Sequence, residues 1–117
     1  MSTSPQKATP ITTHILNLAT GLPAHNVNVI LYKKDQADIR FTGTTNTDGR
    51  VAQWHTEFEL TAGTWVLEFA TTEWFRTQNI DSFFDDVTLT FHVQDTARHY
   101  HVPLLLNAFG YSTYRGS

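Results

Sequence analysis

Six histidines are the residues of this 117-residue sequence best suited to chemistry near neutral pH. Imidazole titrates in that range, so it can take a proton from water, and it is also the commonest metal ligand. His25 comes shortly after Pro23 in a loop-like stretch and His55 lies in a polar stretch, which predicts solvated surface positions for both. The four remaining candidates for a site are His14, His92, His99 and His101.

His99 and His101 form the most suggestive pair. The two-residue period of a β-strand places both on one face, with Tyr100 on the opposite face. Such a pair binds zinc when a third ligand and supporting hydrogen bonds are added, and His14 or His92 could supply that ligand. No carboxylate or thiolate stands at a fixed spacing, so the pattern does not predict a bound metal. Two histidines that are merely hydrogen-bonded on a polar face remain the alternative.

Arg50 and His14 are the next candidates. Arg50 directly follows Asp48 and Gly49, a turn sequence that tolerates positive φ, so the turn fixes the backbone where a strand begins. Its planar guanidinium could bind a planar acceptor through two hydrogen bonds, although its position alone favours an ordinary exposed arginine. His14 lies in a predicted strand on the same face as Leu16, where a lone histidine more often packs than reacts.

The last residues of the sequence are unusual. Residues 110–114 alternate as a strand does, and Arg115, Gly116 and Ser117 follow directly. A terminus usually frays, but one that is tied to a sheet would bring a tyrosine, an arginine, a serine and a carboxylate to one place. The residue types alone do not decide between these outcomes.

Alternating apolar residues, many of them β-branched or aromatic, predict the strands that must position these groups. Val27, Val29 and Leu31 share one face of a strand, and Trp65, Leu67 and Phe69 share one face of another. Further strands are expected near residues 11–18, 40–46, 87–93, 99–106 and 110–115, and a short helix at residues 73–79. Regularly spaced strands with one helical insert predict an all-β, antiparallel β-sandwich with one short helix.

Composition narrows the functional classes. The sequence has no cysteine, which excludes disulfides and thiolate metal sites and agrees with a cytoplasmic location. Its formal net charge of -3 offers no positive field for phosphates, so neither nucleic acid nor an anionic membrane is an expected partner. Residues 1–10 contain no apolar run typical of a signal peptide. They are interpreted as a flexible N-terminal arm before a single domain at residues 11–117.

Three blocks of sequence resemble those of 5-hydroxyisourate hydrolases, the transthyretin-like enzymes of urate catabolism, and the resemblance covers nearly all of residues 11–117. The blocks are TTHILN (residues 12–17) with GLPA (21–24), TNTDGR (45–50), and HYHVPLLL (99–106) with GYSTYRGS (110–117). The sequence departs from the family pattern at Asn107 and Ala108, where Ser-Pro is frequent, and at Asp85, where proline is common. These departures lie in connections outside the expected site.

The resemblance implies a transthyretin-like fold and the cofactor-free hydrolysis of 5-hydroxyisourate to 2-oxo-4-hydroxy-4-carboxy-5-ureidoimidazoline. It implies catalytic roles for His14, Arg50, His101 and Ser117, and substrate contacts for Arg50, Tyr114, Arg115 and Gly116. Which of His14 and His101 activates water stays open. It also implies a homotetramer whose catalytic groups line a channel shared between chains. Two rival functions remain, a transthyretin-like binding module without catalysis and a metallohydrolase that uses His99 and His101.

Overall fold

The structure, a computed structural model, describes residues 9–117, so most of the arm predicted for residues 1–10 lies outside the described residues. The described part of the chain forms nine β-strands, one α-helix and one 3₁₀ turn. In chain order these are β1 (Ile11–Asn17), β2 (Leu22–Pro23), β3 (Asn28–Lys33), the 3₁₀ turn (Lys34–Gln36), β4 (Arg40–Thr44), β5 (Arg50–Val51), β6 (Gly63–Phe69), α1 (Thr71–Thr77), β7 (Val87–Val93), β8 (Tyr100–Asn107) and β9 (Gly110–Thr113).

The strands form two sheets that enclose one apolar core, which confirms the predicted β-sandwich. One sheet has the order β2-β1-β8-β9, with β5 also pairing with β1, and the other has the order β4-β3-β6-β7. Neighbouring strands are antiparallel except for β1 and β8, which run parallel. A parallel pair needs a long crossover, and here the chain builds the whole second sheet between β1 and β8.

Alternation along the strands produces the core much as the sequence predicts. On β1, Ile11 and Ile15 are fully buried, whereas the intervening His14 is only half-buried and lies on the outer face. Val66 is an exception, since it is buried although it points away from the core. It lies on the central strand β6, where Tyr32 and Thr90 flank it in register on the two neighbouring strands.

The helix α1 begins and ends two residues earlier than the sequence predicts. It ends where Asn79 adopts the left-handed conformation, with φ of 58°, and it buries Trp74 and Phe75 against the sandwich. The indole N–H of Trp74 donates to the backbone carbonyl of His25 at 2.8 Å, which ties the helix to the loop before β3. Within residues 9–117 no helix has both the length and the apolar character needed to cross a membrane.

Candidate active site

Three of the predicted site residues converge on the outer face of the five-stranded sheet. His14 on β1 stands directly opposite Arg50 on β5, and His101 on β8 stands opposite Thr12, two residues before His14. The imidazole rings of His14 and His101 lie 6.5 Å apart between centroids, with an angle of 27° between their planes. We refer to these three side chains as the His14–Arg50–His101 cluster.

The turn before β5 fixes the position of Arg50. The side-chain oxygen of Asn46 accepts hydrogen bonds from the backbone N–H groups of Asp48 (2.9 Å) and Arg50 (3.1 Å). Gly49 adopts φ of 73°, and a Cβ there would lie 2.5 Å from the carbonyl oxygen of Ile15, so only glycine fits. The backbone N–H of Ile15 in turn donates to the Gly49 carbonyl at 2.8 Å. This turn therefore locks Arg50 beside His14.

The environment of His101 favours its neutral form. Burial of the half-buried imidazole lowers the pKa of His101 below its ordinary value of 6.5, and the positive charge of Arg50 lowers it further, followed by smaller effects of His14 and His99. A neutral imidazole has one nitrogen lone pair and can accept a proton from water. His101 is thus the member of the cluster best prepared to act as a base.

Thr12 connects the two histidines of the H-x-H pair, a contact that the sequence did not predict. Its hydroxyl oxygen lies 2.8 Å from Nδ1 of His101 and 2.9 Å from Nε2 of His99. Tyr100 and Val102 are buried on the opposite face of β8, which confirms the predicted alternation. The only sign of this contact in the sequence was the position of Thr12 on the same strand face as His14.

The C-terminal residues are tied to β8, as one of the two interpretations of the sequence expected. The backbone N–H of Gly116 donates to the carbonyl of His101 at 2.8 Å. A Cβ on Gly116 would lie 2.6 Å from Cδ2 of the His101 ring, so the tail packs closely against that imidazole. Tyr114 and Ser117 are exposed.

Arg115 makes a contact within the chain that the sequence did not predict, while its predicted contact with substrate stays a prediction. Its guanidinium lies 4.7 Å above the ring of Tyr100, a residue on the core-facing side of β8. Alternation places that side away from the His14–Arg50–His101 cluster. Within this chain, Arg115 ties the tail to β8 through a cation–π contact, and it lines the same cavity as His101.

A cavity of about 340 Å³ lies beside the tail, between β7 and the start of β8. His101 and Tyr114 contribute to its lining, but His14 and Arg50 do not. Arg50 is exposed and His14 and His101 are half-buried, and this cavity does not enclose the three side chains together.

His99 reaches the cluster through Thr12, whereas His92 and His55 belong to other elements. Across residues 9–117 no group of three or more His, Cys, Asp or Glu side chains is arranged to hold a metal ion. His92, considered above as a third ligand, lies on β7 in the other sheet. His55 is exposed as predicted, but it also covers the free edge of β4. Its ring Nδ1 accepts a hydrogen bond from the backbone N–H of Thr42 at 3.0 Å, and the backbone N–H of His55 donates to the Thr42 carbonyl at 2.8 Å.

This fold is a transthyretin-like sandwich. It has two sheets in this strand order, one short helix after β6, and polar groups on the outer face of the β1–β8 sheet. The chain belongs to the HIUase/Transthyretin family, whose sequence profile matches residues 11–116. It is 42% identical over 109 residues to a 5-hydroxyisourate hydrolase of Salmonella typhimurium, an alignment that covers 92% of this chain and 80% of the relative.

Solved structures of both branches of the family resemble this chain. A Klebsiella pneumoniae 5-hydroxyisourate hydrolase matches with a TM-score of 0.80 and 34% identity, covering 92% of this chain and 98% of that one. Sea bream transthyretin in complex with thyroxine matches with a TM-score of 0.81 and 28% identity, covering 92% and 94%. Backbone similarity alone therefore does not separate an enzyme from a carrier, and the side chains of the site must do so.

Proposed function

We propose that this protein hydrolyses 5-hydroxyisourate in the urate degradation pathway. The observation that carries the proposal is the convergence of His14, Arg50 and His101, which come from three separate strands, on one face of one sheet. The names of the Salmonella and Klebsiella relatives support the same reaction.

His101 serves as the general base in this proposal. The imidazole takes a proton from water as the water oxygen attacks the substrate carbonyl, and the new imidazolium then gives that proton to the leaving ring nitrogen as the carbon–nitrogen bond breaks. The resulting carboxylic acid ionises in water. Proton transfer of this kind contributes roughly a hundredfold to ten-thousandfold in rate. The lowered pKa of His101 keeps the base form available at neutral pH.

Arg50 and His14 complete the site. The guanidinium of Arg50 orients the planar substrate and stabilises the negative charge that develops on the attacked oxygen. His14, whose ring stacks with that of His101, shares the handling of protons. In the tail, Gly116 keeps the His101 imidazole in place, while Tyr114 and Ser117 are proposed to close the site around the substrate.

The proposal includes a homotetramer, in which the site lies between chains. Arg50 is exposed and His14 and His101 are only half-buried in the single chain, so a second chain would complete a channel around them. The edges of β7 and β9 both lack a neighbouring strand in the described part of the chain, and Phe83 beside them is 72% exposed. Free edges and exposed aromatic side chains of this kind are commonly covered by another chain. A cytoplasmic location and the absence of a cofactor remain predictions from the sequence.

A binding module without catalysis is the second candidate, because sea bream transthyretin matches the backbone as closely as the hydrolase does. The experiment that separates the two is an ultraviolet assay with freshly generated 5-hydroxyisourate, corrected for spontaneous decay. We expect loss of the substrate well above the spontaneous rate, unchanged by a chelator. Substrate loss no faster than in buffer would reject the hydrolase, and chelator inhibition reversed by zinc would favour a metallohydrolase.

A further inference from the structure

The contact between Thr12, His99 and His101 has a consequence for which nitrogen of His101 carries its proton. A threonine hydroxyl has a single proton and two lone pairs, and a neutral imidazole has one N–H and one lone pair. Thr12 contacts Nδ1 of His101 and Nε2 of His99 at hydrogen-bonding distance at the same time. The hydroxyl can therefore donate to at most one of the two rings.

One arrangement suits a base at His101. When the Thr12 hydroxyl donates to Nε2 of His99, its lone pairs are left to accept the N–H at Nδ1 of His101. The lone pair of His101 then lies on Nε2, the ring nitrogen that does not contact Thr12. The opposite arrangement, with the hydroxyl donating to Nδ1 of His101, leaves the proton on Nε2 and removes the base.

We propose that Thr12 is a positioning residue that holds His101 in the tautomer protonated at Nδ1, and that His99 sets the direction of the Thr12 hydrogen bond. The catalytic consequence rests on the proposed hydrolase function, whereas the tautomer itself does not. Thr12 is suited to the task because it stands opposite His101 in the β1–β8 register and its β-branched side chain has few rotamers. A residue that fixes the tautomer of a catalytic histidine is a recurrent requirement of acid–base sites.

Protonation of His99 would disturb this arrangement. Imidazolium donates from both nitrogens, so a protonated His99 can no longer accept the Thr12 proton. The hydroxyl is then free to donate to Nδ1 of His101, which favours the unproductive tautomer. His101 also faces Arg50 and His14. His99 lines a second cavity, of about 330 Å³, together with Glu59 and Arg98.

The test compares Thr12→Val, which keeps the shape and loses the hydroxyl, with Thr12→Ser, which keeps the hydroxyl. Thr42→Val, an exposed strand threonine on the other sheet, is the matched control. Nitrogen-15 NMR reports the tautomer of His101 in the free protein, and kcat/KM reports its consequence. His99→Phe, which removes the acceptor and leaves Thr12 intact, is an independent second variant.

We expect wild type, Thr12→Ser and Thr42→Val to carry the His101 proton on Nδ1 in mildly alkaline buffer. Thr12→Val and His99→Phe should shift it toward Nε2. Losses in kcat/KM should be roughly tenfold to a hundredfold for Thr12→Val, as for other supporting hydrogen bonds around a reactive group, and within about threefold for Thr12→Ser.

An unchanged Nδ1 tautomer in both Thr12→Val and His99→Phe would overturn the proposal, whatever the activity. An inactive wild-type protein would reject the hydrolase, but the NMR comparison would still decide the role of Thr12. Should Thr12→Val fail to fold, His99→Phe and Thr12→Ser give the same decision. Equal losses of kcat/KM in Thr12→Ser and Thr12→Val would also contradict the proposal, because serine keeps the hydroxyl that the proposal requires and valine does not.

Discussion

At the scale of single residues, the proposed mechanism requires one imidazole, that of His101, to stay neutral and accessible. Burial and the charge of Arg50 both disfavour a proton on His101, so both lower its pKa. Arg50 thereby has two roles in the proposed mechanism, one through its charge and one through its planar shape. These roles can be separated, because lysine keeps the charge but lacks the planar fork, and glutamine lacks the charge.

We expect Arg50→Gln to move the acid limb of the kcat/KM profile to higher pH. Without the guanidinium the pKa of His101 rises toward its ordinary value, so His101 becomes protonated, and inactive as a base, at a higher pH than in wild type. Arg50→Lys should leave the acid limb in place while lowering kcat/KM at least about tenfold, which corresponds to about 1.4 kcal/mol of transition-state binding. An acid limb that does not move in Arg50→Gln would show that this charge does not act on His101.

At the scale of elements, the register between paired strands determines which side chains of the site lie next to each other. The β1–β5 pair places His14 against Arg50, and the bridge from the tail to β8 places Gly116 against His101. Glycine is required at that bridge because a side chain would enter the space of the imidazole, whereas a Cβ on Gly110 at the start of β9 meets no atom within 4 Å. These two glycines of the same C-terminal segment form a natural comparison.

Gly116→Ala should lower kcat/KM about tenfold or more, since the His101 ring or the tail must move to admit the methyl group. Gly110→Ala should change kcat/KM by less than about twofold. Melting temperatures of the two variants, measured by circular dichroism, should stay close to that of wild type, because the affected contact lies at the surface end of the chain. Wild-type kinetics in Gly116→Ala would show that the tail does not contribute to the site.

Most of this architecture can be predicted from the sequence, for identifiable reasons. Alternation predicts which face His14, His99 and His101 occupy, because the side-chain period of a strand is fixed. Alternation does not predict strand partners, so neither the parallel β1–β8 pair nor the contact of Thr12 with both histidines could be foreseen. The contact of Arg115 with the Tyr100 ring escaped prediction for the same reason, since it depends on where the tail meets β8.

At the scale of the whole molecule, two connections that depart from the family pattern meet each other. The backbone N–H of Phe83 donates to the carbonyl of Ala108 at 2.8 Å, which joins the segment before β7 to the turn between β8 and β9. Phe84 bridges the same region, with its ring 5.0 Å from that of Phe83 and 5.4 Å from that of Tyr111. The result is an exposed aromatic patch, formed by Phe83, Phe84 and Tyr111, beside the free edges of β7 and β9.

We expect light scattering at micromolar concentration to give the mass of four chains. Phe83→Asp should lower that mass, because a carboxylate would have to be buried where the aromatic patch meets another chain. Ile39→Asp is the control, since Ile39 is also exposed but lies just before β4, at the far edge of the other sheet. A monomeric wild type with full activity would reject the shared channel.

The central claim is that the His14–Arg50–His101 cluster hydrolyses 5-hydroxyisourate with His101 as the base. It is tested most directly by kcat/KM of His101→Asn beside His25→Asn, an exposed histidine in a loop away from the cluster. We predict a loss of about a hundredfold or more for His101→Asn, and a change within about twofold for His25→Asn, with both variants folded. A folded His101→Asn variant within about threefold of wild type would contradict the account.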